Sequence, residues 1–240
     1  MPERVPTVSV VALVPAAGRG ERLGAAAPKA LVPVHGEPLL VHAVRGLLAA
    51  GSVRHVVVAA PPDHLDAVAA LLTPLGAAVH VVAGGPDRTE SVRRALEAAL
   101  SFAPDAHVAL VHDAARAFTP ASVVRSVVDA VLAGAPAVIP VLPVTDTIKR
   151  VDAAGHVVGT PDRSRLRAVQ TPQGFTVDLL RRAHAAAEGA ATDDAGLVER
   201  LGQTVATVPG HPLAMKITTP FDLAVAEAVL AAAGTGQEET

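Results

Sequence analysis

Short runs of consecutive apolar residues, most of them valine, alternate along the chain with longer stretches in which alanine and leucine recur at helical spacing. An unbroken apolar run too short for a helix marks a strand buried on both faces, and the amphipathic stretches between such runs mark crossover helices. The pattern therefore predicts an α/β fold with a doubly wound, mostly parallel sheet. Strands are expected at Val8–Val14, His55–Ala60, Val79–Val82, His107–Val111 and Ala137–Pro140. Helices are expected at about Leu39–Ala50, Asp63–Leu72, Arg88–Ser101 and Pro120–Ala133, each closing near Gly or Pro. Beyond Pro140 the rhythm changes. Two short polar strands, Val144–Val151 and His156–Gly159, flank the turn Asp152-Ala153-Ala154-Gly155, which predicts a hairpin arm over 143–166 projecting from the domain. A strand near Arg167–Gln170, helices near Val177–Glu188 and Asp193–Leu201, a strand at Val205–Val208 and a helix at Phe221–Ala232 complete a single domain over 1–240. Gly234–Thr240 reads as a disordered tail.

In such a sheet ligands lie beyond the carboxyl ends of the strands, so the residues that follow each strand are the ones to read for chemistry. After the first strand stands Val14-Pro15-Ala16-Ala17-Gly18-Arg19-Gly20-Glu21-Arg22-Leu23-Gly24, then Pro28-Lys29. A turn of small residues lets backbone N–H groups approach a phosphate, and Arg22 and Lys29 add fixed positive charge for the same anion. Neither the G-x-G-x-x-G fingerprint nor a G-K-[ST] loop is satisfied, and a plain glycine turn has the same small residues. The fourth strand ends in His112-Asp113-Ala114-Ala115-Arg116. A carboxylate there suits a divalent ion or a lysine partner, and the arginine suits a phosphate; a turn-capping aspartate and a solvated arginine are the plainer alternative.

Charge and composition narrow the classes. Twenty basic residues against 23 acidic ones give a net charge of −3, so nothing global attracts nucleic acid or an anionic membrane, and any anion site must be local. The chain has no cysteine, which excludes disulfides, thiolate metal sites and cysteine nucleophiles and fits a reducing cytoplasm. No apolar run approaches the ~18 residues of a membrane span, and no secretory signal is legible at the N-terminus. None of the ten histidines stands in a metal-binding H-E-x-x-H spacing.

Six motifs in one order carry a resemblance. They are Pro15-Ala16-Ala17-Gly18-x-Gly20-x-Arg22 with Pro28-Lys29, His112-Asp113-Ala114-Ala115-Arg116, Asp146-Thr147-x-Lys149, Thr171-Pro172-Gln173-x-Phe175, Thr192-Asp193-Asp194-Ala195 and Lys216-Ile217-Thr218-x-Pro220-x-Asp222-Leu223. From Val10 to about Val229 the chain closely resembles the 2-C-methyl-D-erythritol 4-phosphate cytidylyltransferases of the non-mevalonate isoprenoid pathway. It departs from the commonest family form at Ala30, Ala117 and Gly196, none of which removes a charged site residue.

The resemblance implies a reaction and a set of roles. CTP would react with the acceptor phosphate by in-line attack on its α-phosphorus, with pyrophosphate leaving. Arg22, Lys29 and Lys216 would be catalytic, with Asp113 positioning Lys216. Pro15, Ala16, Ala17, Gly18, Gly20, Gly84, Gly85 and Ser91 would hold CTP. Asp113, Arg116, Thr147, Arg163, Thr171 and Thr192 would line the acceptor pocket. Magnesium would arrive mainly on the triphosphate. The family is homodimeric through the arm, which would put Thr147 and Arg163 in the partner's site. Two anions must be brought together, so the chemistry calls for cations and not for a general base. A ribitol 5-phosphate cytidylyltransferase is the nearest alternative. A sugar-1-phosphate nucleotidyltransferase, a non-catalytic nucleotide-binding scaffold and a Rossmann oxidoreductase fit the loops less well.

Overall fold

The structure is a computed structural model that describes residues 9–18, 28–189 and 191–235. In chain order its elements are β1 (Ser9–Pro15), β2 (Pro33–Val34), β3 (Glu37–Pro38), α1 (Leu39–Ala49), β4 (His55–Ala60), α2 (Leu65–Leu72), β5 (Val79–Ala83), α3 (Arg88–Phe102), β6 (Ala106–Val111) and α4 (Ala121–Leu132). There follow β7 (Ala137–Pro143), β8 (Arg150–Val151), β9 (Val157–Gly159), β10 (Arg167–Val169), β11 (Gln173–Thr176), α5 (Val177–Ala185), α6 (Asp194–Arg200), β12 (Ala206–Pro209) and α7 (Pro220–Thr235).

The apolar runs fill both faces of one sheet. Along β1, Val10, Ala12 and Val14 belong to one core with Val56, Val58, Leu47, Val127 and Val131, on the side covered by α1, α2 and α4. Val11 and Leu13 point the other way, into a core with Val57, Val92, Ala95, Phe175 and Leu180 under α3, α5 and α6. Period-two alternation thus serves two cores, which is why these strands carry no polar face.

The strand order is β10-β7-β11-β6-β1-β4-β5, with β12 pairing parallel to β7. Strand β1 lies between β4 and β6 and is parallel to both. The chain therefore leaves β1 toward one side of the sheet and returns on the other, which opens a crevice at the carboxyl end of β1.

Three features differ from the sequence expectation. Strand β11 is not legible as a strand in Gln-Gly-Phe-Thr, yet it runs antiparallel between β6 and β7. Its Gly174 has no room for a side chain, since a Cβ there would lie 2.5 Å from Val127 Cγ1, and Phe175 beside it is fully buried. In the arm, regular pairing is confined to β8 with β9, because 144–149 has no partner strand among the described residues. The predicted turn does form: Asp152 Oδ1 accepts from the N–H groups of Ala154 and His156, and Gly155 takes a positive φ of 84°. Finally, α7 runs through Gly234 to Thr235, so the first two residues of the expected tail are helical, and 236–240 lie outside the described residues. Among the described residues no helix is long and apolar enough to cross a membrane.

Candidate active site

The crevice holds a cleft of about 590 Å³, within the range of small-ligand sites. The chain after β1 forms one wall: Ala16 N–H donates to Ala59 O at 2.8 Å, so Ala16-Ala17-Gly18 continues the line of the strand to the cleft. Gly84 lies behind this turn, its N–H donating to Ala60 O at 2.7 Å. A Cβ at Gly84 would come within 2.7 Å of Ala17 Cβ and 3.2 Å of Ser91 Oγ. Only glycine lets the two walls approach this closely. Gly84→Ala is therefore expected to push the Ala17 turn outward and raise the KM for a nucleotide about tenfold, the effect of ~1–2 kcal/mol of overpacking, with little change in turnover. Steady-state kinetics check it, and an unchanged nucleotide KM would contradict it.

Helix α3 points its N-terminus at the cleft. Asp87 caps it, Oδ1 accepting from Glu90 N–H at 2.8 Å. The Ser91 hydroxyl accepts from Gly85 N–H at 3.0 Å and donates to Asp87 O at 2.7 Å, which folds the Gly84-Gly85 turn against the helix.

The carboxyl end of β6 supplies the charged centre. Asp113 Oδ2 lies 2.7 Å from Lys216 Nζ, and Oδ1 lies 3.4 Å from Arg88 Nε. Burial pushes the Asp113 carboxyl up, but Arg88, Lys216 and Arg116 outweigh it and hold the group well below the usual carboxylate range. Lys216 is delivered by a braced loop. Ile217 N–H donates to Ala115 O at 2.9 Å, and the Gln170 amide makes two 2.9 Å bonds to the backbone of His211. Downstream, Asp222 Oδ2 gathers the N–H groups of Thr218 and Thr219 at 2.8 Å each.

The Thr171 hydroxyl accepts from Asp113 N–H at 3.0 Å and lies within hydrogen-bond distance, 3.1 Å, of His112 Nδ1. His112 is fully enclosed, and burial lowers its pKa from 6.5 to about 4. The sign is fixed: an imidazole depressed in the folded state leaves stability intact above pH 6.5 and removes it as pH falls toward 4, by roughly 3 kcal/mol. Replacing His112 by Asn, which keeps a polar group near the place of Nδ1 but does not titrate, is expected to flatten that part of the profile. Denaturant unfolding at pH 7 and pH 4.5 measures it; parallel losses in both proteins would contradict it.

The structure brings together much of the predicted set. Pro15, Ala16, Ala17, Gly18, Lys29, Gly85, Ser91, Asp113 and Lys216 line the cleft, and Gly84 lines a hollow beside it. Arg116 and Thr171 sit one layer back. The Arg116 guanidinium donates to Ala214 O at 2.7 Å and Val169 O at 3.0 Å, so in this conformation it braces the Lys216 loop against β10. Thr192 is exposed ahead of α6 and does not line the cleft. Thr147 and Arg163 lie on the exposed arm, away from this chain's own cleft, where Arg163 donates to Thr145 O. Gly20 and Arg22 lie outside the described residues.

Sequence reasoning gave no role to Arg88, which joins Asp113 to Asp194, or to the buried Asp194–His184 pair. The signal was present in Thr192-Asp193-Asp194. Asp193 caps α6 by accepting from Gly196 N–H, which leaves Asp194 on the helix face shared with Leu197 and Val198. An acid on an apolar face needs internal partners.

A small-residue turn and two lysines at the switch point of a doubly wound sheet put the chain in the nucleotidyltransferase class, as its solved structural relatives also indicate. The family model described as IspD, 2-C-methyl-D-erythritol 4-phosphate cytidylyltransferase, matches residues 10–232, and the chain belongs to that family. An enzyme of that name from Saccharopolyspora erythraea is 70% identical over 224 residues, covering 93% of this chain and 100% of the relative. Another from Nocardia farcinica is 60% identical, covering 92% of this chain and 94% of the relative. The crystal structure of 2-C-methyl-D-erythritol 4-phosphate cytidylyltransferase from Thermus thermophilus superposes with a TM-score of 0.76 at 39% identity, covering 93% of this chain and 100% of that one.

Proposed function

We infer that the chain joins CTP to 2-C-methyl-D-erythritol 4-phosphate, giving 4-diphosphocytidyl-2-C-methyl-D-erythritol and pyrophosphate. The observation that carries this reading is the Lys216–Asp113 pair, 2.7 Å apart, in one cleft with Lys29 and the Ala16–Gly18 turn. An ionised phosphate oxygen of the acceptor attacks the α-phosphorus in line while the bond to pyrophosphate breaks, so no side chain has to remove a proton. Lys29, with Arg22, offsets the charge that grows on the equatorial and leaving oxygens, and Lys216 brings the attacking phosphate in. Backbone around Ala16, Ala17, Gly84 and Gly85, with Ser91, recognises the cytidine.

Among the described residues no group of three or more His, Asp or Glu could hold a metal, and the carboxylates lining the cleft are Asp87 and Asp113. That sparse set suits a magnesium ion carried in by the triphosphate and held largely by phosphate oxygens and water, for which Asp113 would be the protein carboxylate on hand. When bound, the ion supplies further neutralisation of the triphosphate charge. The lack of cysteine suits work in a reducing cytoplasm.

The arm exposes Ile148, Val151, Val157 and Val158, an apolar surface that suits a second copy of the chain. In such a homodimer Thr147, Arg163, Arg116, Thr171 and Thr192 would complete an acceptor pocket, the first two supplied across the interface. Pyrophosphate release tests the reading, with each of the four nucleoside triphosphates against methylerythritol phosphate and ribitol phosphate. Release with CTP and methylerythritol phosphate is expected to exceed every other pairing, and a preference for ribitol phosphate would overturn it. Mixing Arg163→Ala and Lys29→Ala chains tests the shared site: partial recovery of activity is expected, and none would count against an arm that crosses over.

A further inference from the structure

Ionic contacts continue behind Asp113. Arg88 divides its guanidinium between two acids, with Nη1 donating to Asp194 Oδ2 at 2.7 Å and Nε facing Asp113 Oδ1 at the longer 3.4 Å. The other oxygen of Asp194 accepts from His184 Nε2 at 2.9 Å. The series begins in the core, where the His184 and Asp194 side chains are 2% and 1% exposed, and ends in the cleft at Lys216, which is 44% exposed. Its members come from α5, α6, the first turn of α3, the end of β6 and the loop before α7.

Stability alone is a poor account of the inner pair. A buried ion pair is often no better for folding than apolar side chains of the same volume, and both residues sit among Leu179, Leu180, Leu197 and Val198. His184 Nδ1 is buried without a hydrogen-bond partner among the described residues, so the ring contributes one bond, from Nε2–H to Asp194 Oδ1. Burial pushes the Asp194 carboxyl up; His184 and Arg88 outweigh it and keep the group ionised.

The ionised Asp194 restrains Arg88. A guanidinium facing a single carboxylate closes on it through two parallel bonds. With Asp194 holding Nη1, Arg88 reaches Asp113 only through Nε, at long range, and the second Asp113 oxygen stays with Lys216 at 2.7 Å. We propose that His184 and Asp194 are positioning residues for nucleotidyl transfer: they hold Arg88 back from Asp113, so that Asp113 presents Lys216 to the reacting phosphates. This rests on the role of Lys216 given above.

The test is steady-state pyrophosphate release with CTP and methylerythritol phosphate. Asp194→Asn is expected to lower kcat about tenfold while the KM for CTP moves less than about twofold, the scale of coupling through one shared partner. His184→Leu should act in the same direction. His184→Gln, whose amide nitrogen reaches the place of Nε2, should recover most of the loss, and the His184→Leu/Asp194→Asn double variant should be no slower than Asp194→Asn alone. The proposal falls if His184→Gln is as slow as His184→Leu, if the two losses multiply, or if both single variants keep wild-type kcat. Should Asp194→Asn fail to fold, the leucine and glutamine variants, both uncharged, still decide it. Lys216→Ala separates the two layers: full activity there removes the reading of the site itself, whereas an inactive Lys216→Ala beside an unaffected His184→Leu removes only the inner residues.

Discussion

Lys29→Ala is expected to lower turnover with CTP by at least about two orders of magnitude, the usual scale for losing one donor aimed at charge that develops in the transition state. Lys29 opens the short 3-10 turn Lys29–Leu31, whose Ala30 is buried and whose Leu31 N–H donates to Pro28 O at 2.8 Å. The lysine thus stands on a fixed piece of backbone at the rim of the cleft. Alanine keeps that backbone, so the loss should appear in kcat with the fold intact. Turnover within a few-fold of the unaltered enzyme would show that the triphosphate charge is met elsewhere.

The second large effect concerns Asp113. Its two oxygens face two different cations, and an amide has only one acceptor oxygen. In Asp113→Asn the NH₂ group must confront either Arg88 or Lys216, donor against donor. Turnover is expected to fall about a hundredfold, since Lys216 loses both its anchor and its register on the acceptor phosphate. Folding stability should fall by roughly 1–3 kcal/mol. That is less than a fully buried broken pair would cost, because Lys216 can turn its charge to water. Chemical denaturation with parallel kinetics measures both; an active and equally stable Asp113→Asn would remove the carboxylate from the centre of the site.

Most of the sheet was legible because strands such as β1 and β4 are buried on both faces, and nothing but an unbroken apolar run satisfies that environment. The same logic located the cleft, since Ala16 and the Gly84-Gly85 turn follow their strands directly and Asp113 comes two residues after β6. Strand β11 escaped because four residues containing a glycine carry too little periodicity; its place is set by the tight approach of α4 to Gly174. Roles were harder to read than places. Arg116 and Thr171 have the right chemistry for a ligand, but whether such a group meets a substrate or a backbone carbonyl depends on three-dimensional neighbours absent from a motif. Asp194 is next to Asp193 in the sequence, which does not reveal that only Asp193 caps α6 while Asp194 turns into the core. The arm was legible as a change of rhythm, and β8 and β9 fall inside the two strands expected there, although the expected first strand is longer than the part that pairs.

The stretch from Gln170 to Gln173 fastens more of the molecule than its length suggests. Gln170 holds the backbone of His211, Thr171 bridges His112 and Asp113, and Gln173 ties the start of α6 through Asp193 and Ala195. Inserting or deleting one residue here would turn each of these side chains to the opposite face and release three loops together. At Asp152–Gly155, the exposed tip of the arm, a change of length alters only the tip's own hydrogen bonds. Natural variation in chain length should therefore gather at the tip and stop abruptly at Gln170.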